Sequence, residues 1–172
     1  MIRKATVDDI NAVTCIYEDI HTLEEEGKST IGWIRGIYPT KETAEKSVDN
    51  DELFVMEVDG IIVASARINK IQDEMYAEGK WEYPAENEKV MVMHTLVVSP
   101  SHRSKGYAKA FAAFYEQYAR ENGCISLRID TNEKNTTARN LYKTLGYKEI
   151  GIVSCEFNGI KGVNLVLLEK PL

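Results

Sequence analysis

The stretch VMVMHTLVVSPSHRSKGYAKAFAAF, residues 90–114, decides the fold of this chain. Residues 90–98 are almost continuously apolar, which predicts a central strand buried on both faces. Pro100 ends this strand, and a helix is predicted to begin immediately after Gly106. The apolar stripe of that helix has helical spacing and consists of Ala108, Phe111, Tyr115, Tyr118 and Ala119. The stretch therefore predicts a buried strand that leads through a tight turn into an amphipathic helix.

The turn carries two cations, Arg103 and Lys105, beside Gly106 in a chain whose net charge is -6. The first amide groups of a helix have no internal acceptor, and together with the helix dipole they attract anions. Arg103 adds a fork that suits phosphate, and the glycine lets a ligand approach the backbone closely. The spacing matches neither a Walker P-loop nor the three-glycine dinucleotide fingerprint. We therefore predict a pyrophosphate site, with a plain glycine turn bearing surface cations as the alternative.

The whole chain predicts an α+β, or mixed α/β, fold with elements in the order β-α-α-β-β-β-α-β-α-β-β. The dipeptides Asp59-Gly60 and Asn158-Gly159 each predict a hairpin between two strands. No internal repeat or linker divides residues 1–172, so a single domain is predicted. Capping residues and apolar spacing predict three further helices, over 10–23, 41–49 and 135–145.

The composition is that of an ordinary globular protein, with 44% hydrophobic and 28% charged residues. No basic stripe is present, so nucleic acid is not predicted as a partner. Cys15, Cys124 and Cys155 are widely spaced and form no CxxC pair, which predicts reduced, mostly buried thiols and no metal site. No apolar run is long enough to cross a membrane and the N-terminus has no apolar leader, so we expect no membrane partner and a cytoplasmic location.

Two motifs lie on either side of the third long helix and the strand that follows it. They read Leu96-x-Val98-x-Pro100-x-x-Arg103-x-x-Gly106-x-Ala108 and Asn135-x-x-Ala138-x-x-x-Tyr142-x-x-x-Gly146-Tyr147. The first resembles the acetyl-coenzyme A signature of the GNAT (Gcn5-related) N-acetyltransferases, and the second resembles the other signature of that family. Because the element order also matches from end to end, the resemblance covers nearly the whole chain. It implies a twisted, mostly antiparallel sheet of about seven strands flanked by four helices, with strands 4 and 5 splayed apart.

The resemblance also implies acetyl-CoA as the acetyl donor, no metal, and direct attack by an amine on the thioester. The turn at 103–108 would hold the pyrophosphate, while the backbone of residues 96–98 would pair with pantetheine and polarise the thioester carbonyl. Asn135 is either a contact for pantetheine or an ordinary N-cap. The residues that the resemblance assigns to the cofactor are Leu96, Val97, Val98, Arg103, Ser104, Lys105, Gly106, Tyr107, Ala108, Asn135 and Ala138.

Tyr142 is the predicted catalytic acid, because its family counterpart protonates the leaving thiolate; the alternative is a core aromatic. Many relatives carry a glutamate in strand 4 as the base, and this strand has none. His94 is the predicted base here, since a histidine titrates near neutrality. Its alternation with Val92 and Leu96 predicts that it shares their face, and a hydrogen-bonded core role is the alternative. Glu88, before the strand, is a second candidate, and an amine that arrives neutral would need no base.

The acceptor pocket is expected between residues 24–38, the acidic segment 72–89 and the loop between the last two strands. Acids and aromatic residues in these segments could hold a cation, or they could be a solvated helix end and loop packing. These residues are Glu24, Glu25, Glu26, Trp33, Tyr38, Tyr76, Trp81 and Tyr83.

The predicted function is therefore N-acetylation of a primary amine on a small molecule. A peptide or protein amine is the alternative within the class, although the acidic insertion would narrow a peptide groove. Two other classes stay open: a non-catalytic sensor that binds acyl-CoA without turnover, which the lack of a base would favour, and a scaffold without ligand. A homodimer through the last strands is compatible with this fold.

Overall fold

The computed structural model of this protein describes all residues, 1–172, and contains one sheet of seven strands. The strands are β1 Ile2–Lys4, β2 Leu53–Val58, β3 Ile61–Asn69, β4 Val90–Val98, β5 Ser126–Asn132, β6 Lys148–Phe157 and β7 Ile160–Pro171. Their order across the sheet is β1-β2-β3-β4-β5-β7-β6, and every neighbouring pair is antiparallel except β4 and β5. The predicted sheet of about seven mostly antiparallel strands is confirmed.

Four α-helices cover the sheet, and residue type explains where each begins or ends. The helices are α1 Ile10–Glu25, α2 Lys41–Asp49, α3 Tyr107–Glu121 and α4 Thr136–Thr144. Thr40 and Asn135 accept hydrogen bonds from the first turns of α2 and α4 through their side chains. The short 3-10 turns are Val7–Asp9, Glu74–Glu78, Asn87–Lys89 and Pro100–His102. Segment 72–89, which has no clear period, thus forms two such turns.

The sheet divides between its two parallel strands. Val90–Met93 of β4 pair with Ser126–Ile129 of β5, and beyond these residues the two strands have no register with each other. In β4 the backbone also bulges, since Thr95 has φ 57 and the register with β3 shifts nearby. The predicted splaying of strands 4 and 5 is therefore present, and it leaves backbone groups of both strands facing a gap in the middle of the sheet.

Each face of the sheet buries its own core. Val92 belongs to the core under α1 and α2, whereas Met93 belongs to the core under α3 and α4. Tyr115 of α3 holds the paired part of the parallel strands, because its buried hydroxyl donates to the carbonyl of Met91 at 2.6 Å and lies 3.1 Å from that of Arg128. This contact places the N-terminus of α3 beside the split.

The two predicted hairpins form at their dipeptides, and β7 is longer than predicted because it begins directly after the second turn. The cysteine prediction is only partly right. All three thiols are free, with Cys124 buried and Cys155 half-buried, but Cys15 is exposed. Cys15 lies outside the buried stripe of α1, which runs through Val13, Ile16 and Ile20.

Candidate active site

A cleft opens where β4 and β5 part, and it contains a cavity of about 580 Å³. Its walls are the end of β4, the turn into α3, the loop 27–31 and one side of α4. Of the residues predicted to bind the cofactor, all except Lys105 line it; they are Leu96, Val97, Val98, Arg103, Ser104, Gly106, Tyr107, Ala108, Asn135 and Ala138. The structure adds the loop 27–31, which matches no motif in the sequence.

The turn before α3 presents a run of free amide groups. No amide of residues 104–109 donates to a carbonyl of the protein, and the first backbone bond of the helix runs from Ala110 to Gly106 at 3.0 Å. Ser104 has φ 63 and Gly106 has φ 79, so both lie in the left-handed region. Successive amides in such a turn form a concave site for an anion. A side chain at Gly106 would meet no atom within 4 Å, so the approach to these amides is open.

A smaller cavity of about 80 Å³ adjoins the cleft on the other side of the split. It is lined by residues 93–96 of β4, residues 129–132 of β5 and the aromatic side chains Trp33, Tyr38 and Phe157. Five residues line both cavities, namely Ile31, Leu96, Asn135, Ala138 and Tyr142. A molecule in the cleft and a second molecule in the smaller cavity would therefore meet at the split.

Tyr142 and Asn135 both lie at this junction. Tyr142 is 5% exposed, and its ring packs edge-on against Tyr147 with the ring centroids 5.5 Å apart. Burial raises the pKa of the Tyr142 hydroxyl, and the charge of Asp130 adds to the rise, so the hydroxyl keeps its proton at neutral pH. Asn135 is the N-cap of α4, since its side-chain oxygen accepts from the amide of Ala138 at 3.2 Å. Asn135 therefore caps α4 and also lines both cavities.

His94 lines the smaller cavity and is 4% exposed. The amide of Ile71 donates to Asn69 Oδ1 at 3.0 Å, which fixes this oxygen toward the histidine. His94 Nε2 lies 3.1 Å from the same oxygen, so Nε2 carries the hydrogen. In the neutral ring Nδ1 is then the acceptor, and it has no hydrogen-bond partner. Its nearest acidic atom is Asp73 Oδ2 at 3.5 Å. Nδ1 is thus a buried nitrogen beside a carboxyl group, without a hydrogen-bond partner.

Two carboxylates stand beside His94 Nδ1, and sequence reasoning assigned neither of them to the site. Ligand atoms of Asp73, His94 and Asp130 lie within 4.8 Å of one another. Burial raises the pKa of the Asp130 carboxyl against the opposing effects of His94 and Arg67. Burial also opposes ionisation of Asp73, but His94 and Arg67 together outweigh it and lower the pKa of this carboxyl. Tyr76 donates to Asp130 Oδ2 at 2.8 Å.

The cluster offers acceptor groups to a cation. Arg67 acts on the carboxyls of both Asp73 and Asp130, and it favours the ionised form of each against the effect of burial. Three side chains of this type are able to ligand a metal ion. The carboxyl oxygens are also able to accept hydrogen bonds from an ammonium group.

The β4 bulge corrects the predicted face of one residue. Strict alternation places His94 on the same face as both Val92 and Leu96. Val92 does pack in the core under α1, but Leu96 packs against the core under α3 and α4. The left-handed conformation of Thr95 inserts an extra residue and reverses the alternation after His94. The apolar sequence of residues 90–98 contains no feature that predicts this bulge.

The predicted acceptor acids are also corrected, because none of the three glutamates of 24–26 lines the smaller cavity and each has a structural partner. Glu24 accepts from the amides of Ile31 and Gly32 at 2.7 and 3.1 Å, which holds the loop that walls both cavities. Glu25 pairs with Arg35, and Glu26 pairs with Lys28. Of the predicted aromatic residues, only Trp33 and Tyr38 line the smaller cavity, while Tyr76, Trp81 and Tyr83 do not.

A buried carboxylate holds segment 72–89 against the sheet. Glu169 of β7 is fully buried and accepts from the amides of Glu82 and Tyr83 at 2.6 and 3.3 Å. Burial lowers the pKa of Arg128, the charge of Glu169 opposes this shift, and the guanidinium of Arg128 lies 3.9 Å from the centre of the Trp81 ring. Trp81 Nε1 in turn donates to the carbonyl of Tyr76 at 2.7 Å. The segment that carries Asp73 and Tyr76 is therefore fixed from beneath by side chains of β5 and β7.

Comparisons with known proteins agree with this architecture. Residues 16–147 match the model of a family described as "Acetyltransferase (GNAT) family". Aminoglycoside N(6')-acetyltransferase type 1 of Salmonella typhimurium is 26% identical over 96 residues, which are 56% of this chain and 61% of that protein. N-acetyltransferase 8B of Homo sapiens is 35% identical over 40% of this chain and 30% of its own length. The alignments thus span less than two thirds of these curated relatives.

Solved structures share the fold along the whole chain. A GNAT-family acetyltransferase from Streptococcus agalactiae superimposes with a TM-score of 0.81, at 24% identity, covering 100% of this chain and 95% of that one. At these identities the likeness shows the fold alone. No helix of this protein is both long enough and apolar enough to cross a membrane.

Proposed function

This chain belongs to the acetyltransferase (GNAT) family, and we propose that it transfers the acetyl group of acetyl-CoA to the primary amine of a small molecule. Family membership gives the coarse activity, that of an acyltransferase using acetyl-CoA. The acceptor and the roles of individual residues are our own assignment. The Salmonella typhimurium relative, whose name gives an aminoglycoside as its substrate, supports a small amine as acceptor.

The observation that carries this proposal is the meeting of the two cavities at the split between β4 and β5. In this proposal the pyrophosphate of acetyl-CoA binds the free amides of residues 104–109, and Arg103 adds a positive charge beside them. Pantetheine extends along residues 96–98, whose backbone faces the gap, and this carries the thioester to Tyr142. The acceptor amine approaches from the smaller cavity.

We assign proton removal from the acceptor to His94. The free lone pair at Nδ1 takes the proton of the bound ammonium, directly or through a water molecule, so that the neutral amine attacks the thioester carbon. Asp73 and Asp130 then stabilise the imidazolium. Glu88 does not line the cavity, so we do not assign it this role.

Collapse of the tetrahedral intermediate breaks the carbon–sulfur bond, and we assign protonation of the leaving thiolate to Tyr142. Burial and the raised pKa keep the proton on the hydroxyl until the thiolate forms beside it. The attacking nitrogen loses its second proton as the amide forms, and this proton converts Tyr142 from tyrosinate back to tyrosine. The first proton leaves His94 for solvent, so the products are the acetylated amine, coenzyme A as free thiol and one proton.

Release of coenzyme A thiol from acetyl-CoA with a panel of amines tests this proposal. Tyr142→Phe is expected to lower kcat by about a hundredfold or more, within the range for general acid catalysis. Its dissociation constant for coenzyme A should stay unchanged, because the cofactor contacts are mainly backbone. Acetyl-CoA binding without thiol release for any amine or peptide would instead identify a sensor. Failure of coenzyme A to raise the melting temperature would identify a scaffold.

Three further assignments belong to the same proposal. We propose that residues 1–172 act as one domain, since all seven strands form a single sheet. We propose a cytoplasmic location, because the three cysteines are free thiols. Strand β6 is an edge of the sheet and is where a second copy of the chain would pair. Sedimentation of the purified protein would decide between monomer and homodimer.

A further inference from the structure

We infer that the acceptor is a primary monoamine with an uncharged, apolar body, such as a short branched alkylamine. This inference rests on the proposed function, because it takes the smaller cavity as the acceptor site. It goes further by stating which parts of an acceptor the cavity walls can and cannot accommodate.

The charges along the cavity wall limit the number and sign of acceptor charges. Asp130 is the one acid that lines the cavity, and no lysine or arginine lines it. A single ammonium group can therefore pair with Asp130 beside His94. A second ammonium would lie in the cavity without a counter-ion, and so would a carboxylate. Diamines, polyamines and free amino acids are accordingly disfavoured.

Most of the rest of the wall is apolar and aromatic. Tyr38 packs edge-on between Trp33 and Phe157, with ring centroids 6.3 and 5.8 Å away. Apolar side chains of β7, including Ile160 and Val163, belong to the same wall. The wall also contains four further polar side chains, of which Thr95 bonds to Tyr38 and Asn132 and Asn135 accept from backbone amides; the fourth is Thr131. Because most of these groups already have protein partners, polar substituents on the acceptor regain only part of their lost hydration.

The size of the smaller cavity also limits the size of the acceptor's apolar body. Its volume of about 80 Å³ is much smaller than the 580 Å³ of the adjoining cofactor cleft. The loop that closes it is held by the carboxylate of Glu24, and Gly32 of that loop already approaches Asn132 closely. This space favours a short alkyl body over a sugar ring bearing several ammonium groups.

A matched set of acceptors tests the inference without any mutation. Isopentylamine and leucine share one skeleton and differ by a carboxylate, leucinamide replaces that carboxylate with a neutral amide, and putrescine adds a second ammonium. We expect kcat/KM to be highest for isopentylamine and at least about tenfold lower for leucine and putrescine, because each buries an unpaired charge. The ammonium group of leucine is more acidic than that of isopentylamine. If ease of deprotonation alone decided kcat/KM, leucine would therefore be the better acceptor.

The outcomes separate this inference from the proposed function. Faster turnover of leucine, putrescine or kanamycin than of isopentylamine would overturn the inference and leave the acetyltransferase assignment standing. Faster turnover of a short peptide with a free N-terminus would also overturn it. Absence of thiol release with every amine would contradict the proposed function itself.

A specificity variant provides a second test. Ile160→Glu places a carboxylate in the apolar wall, and the ratio of putrescine to isopentylamine turnover should rise by about tenfold. Ile152→Glu is the matched control, because Ile152 lies on the neighbouring strand, is 54% exposed and does not line the cavity. If both variants fold, by their melting transitions, and show the same ratio as the parent protein, the proposed cavity does not select the acceptor.

Discussion

The cleft that we assign to the cofactor and the smaller cavity that we assign to the acceptor share a wall, but they are built in different ways. In the cleft, the proposed anion site is the backbone of one continuous turn, residues 104–109. The acceptor cavity takes its polar groups from side chains on separate elements, with His94 on β4, Asp130 on β5 and Tyr38 in the loop before α2. Binding of a common donor can therefore be encoded in one short motif, whereas selection of the acceptor depends on how distant elements pack.

This difference has a consequence for substitutions. A change in the cleft should alter cofactor affinity through backbone conformation and leave acceptor selection unchanged. A change on the acceptor side should alter turnover or acceptor affinity and leave coenzyme A binding unchanged. Each of the four substitutions below changes either the cleft or the acceptor side, and not both.

The largest effect is expected for His94→Gln. Glutamine can keep a hydrogen bond to Asn69 but cannot take up a proton, so kcat should fall by about a hundredfold to ten-thousandfold. Coenzyme A binding, measured by calorimetry, should be unchanged, because His94 does not line the cleft. An unchanged kcat would show that the acceptor arrives neutral or that another group removes its proton.

The next largest effect is expected for Glu169→Ala, which removes the buried carboxylate under segment 72–89. The amides of Glu82 and Tyr83 and the charge of Arg128 lose their partner, so the free energy of unfolding should fall by about 3 kcal/mol. The acceptor KM should rise with it, since this segment carries Asp73 and Tyr76. Chemical denaturation and steady-state kinetics measure the two effects.

Glu149→Ala is the control for that variant, because Glu149 forms a half-exposed pair with Arg139. It should lower the free energy of unfolding by less than about 1 kcal/mol. If Glu169→Ala is no more destabilising than this control, the buried carboxylate does not hold the segment.

Gly106→Ala should weaken coenzyme A binding by about tenfold, because a left-handed φ of 79 costs an alanine roughly 1–2 kcal/mol. Alanine relieves this strain by rotating the backbone, which turns the free amides away from the pyrophosphate. Gly60→Ala is the matched control, with φ 77 and open space around its Cβ, but in the β2–β3 hairpin. Both variants should lose similar stability, and only Gly106→Ala should lose affinity for the cofactor. Equal affinity in the two variants would place the pyrophosphate elsewhere.

The smallest effect is expected for Gly32→Ala, which changes the loop that lines the smaller cavity. Its Cβ would lie 2.5 Å from Asn132 Nδ2, so the loop or the asparagine must shift. We expect the acceptor kcat/KM to fall by about fivefold through misplacement of this wall. Gly36→Ala in the same loop has a similar φ and open space around its Cβ, so it should leave kcat/KM unchanged. A fall in both variants would indicate general loosening of the loop.

Much of the fold could be predicted because its determinants are local. The hairpins follow from Asp59-Gly60 and Asn158-Gly159, and the buried central strand follows from the apolar run at 90–98. The bulge at Thr95 could not be predicted, since the apolar run continues through it without a break. The roles of Glu24 and Asp130 were missed for a related reason: a carboxylate in the sequence does not reveal which distant donor it will face.

From its residues alone, this protein is identifiable as a fold of seven strands and four helices, with a glycine turn bearing cations before the third helix. Periodicity, turn chemistry and a continuous backbone motif act over a few neighbouring residues, so they can be read directly. The cluster of His94, Asp73 and Asp130 and the mainly apolar wall of the smaller cavity form only when strands and loops distant in the chain pack together. Their chemistry depends on distances of a few ångströms between side chains, and packing across the sheet sets those distances.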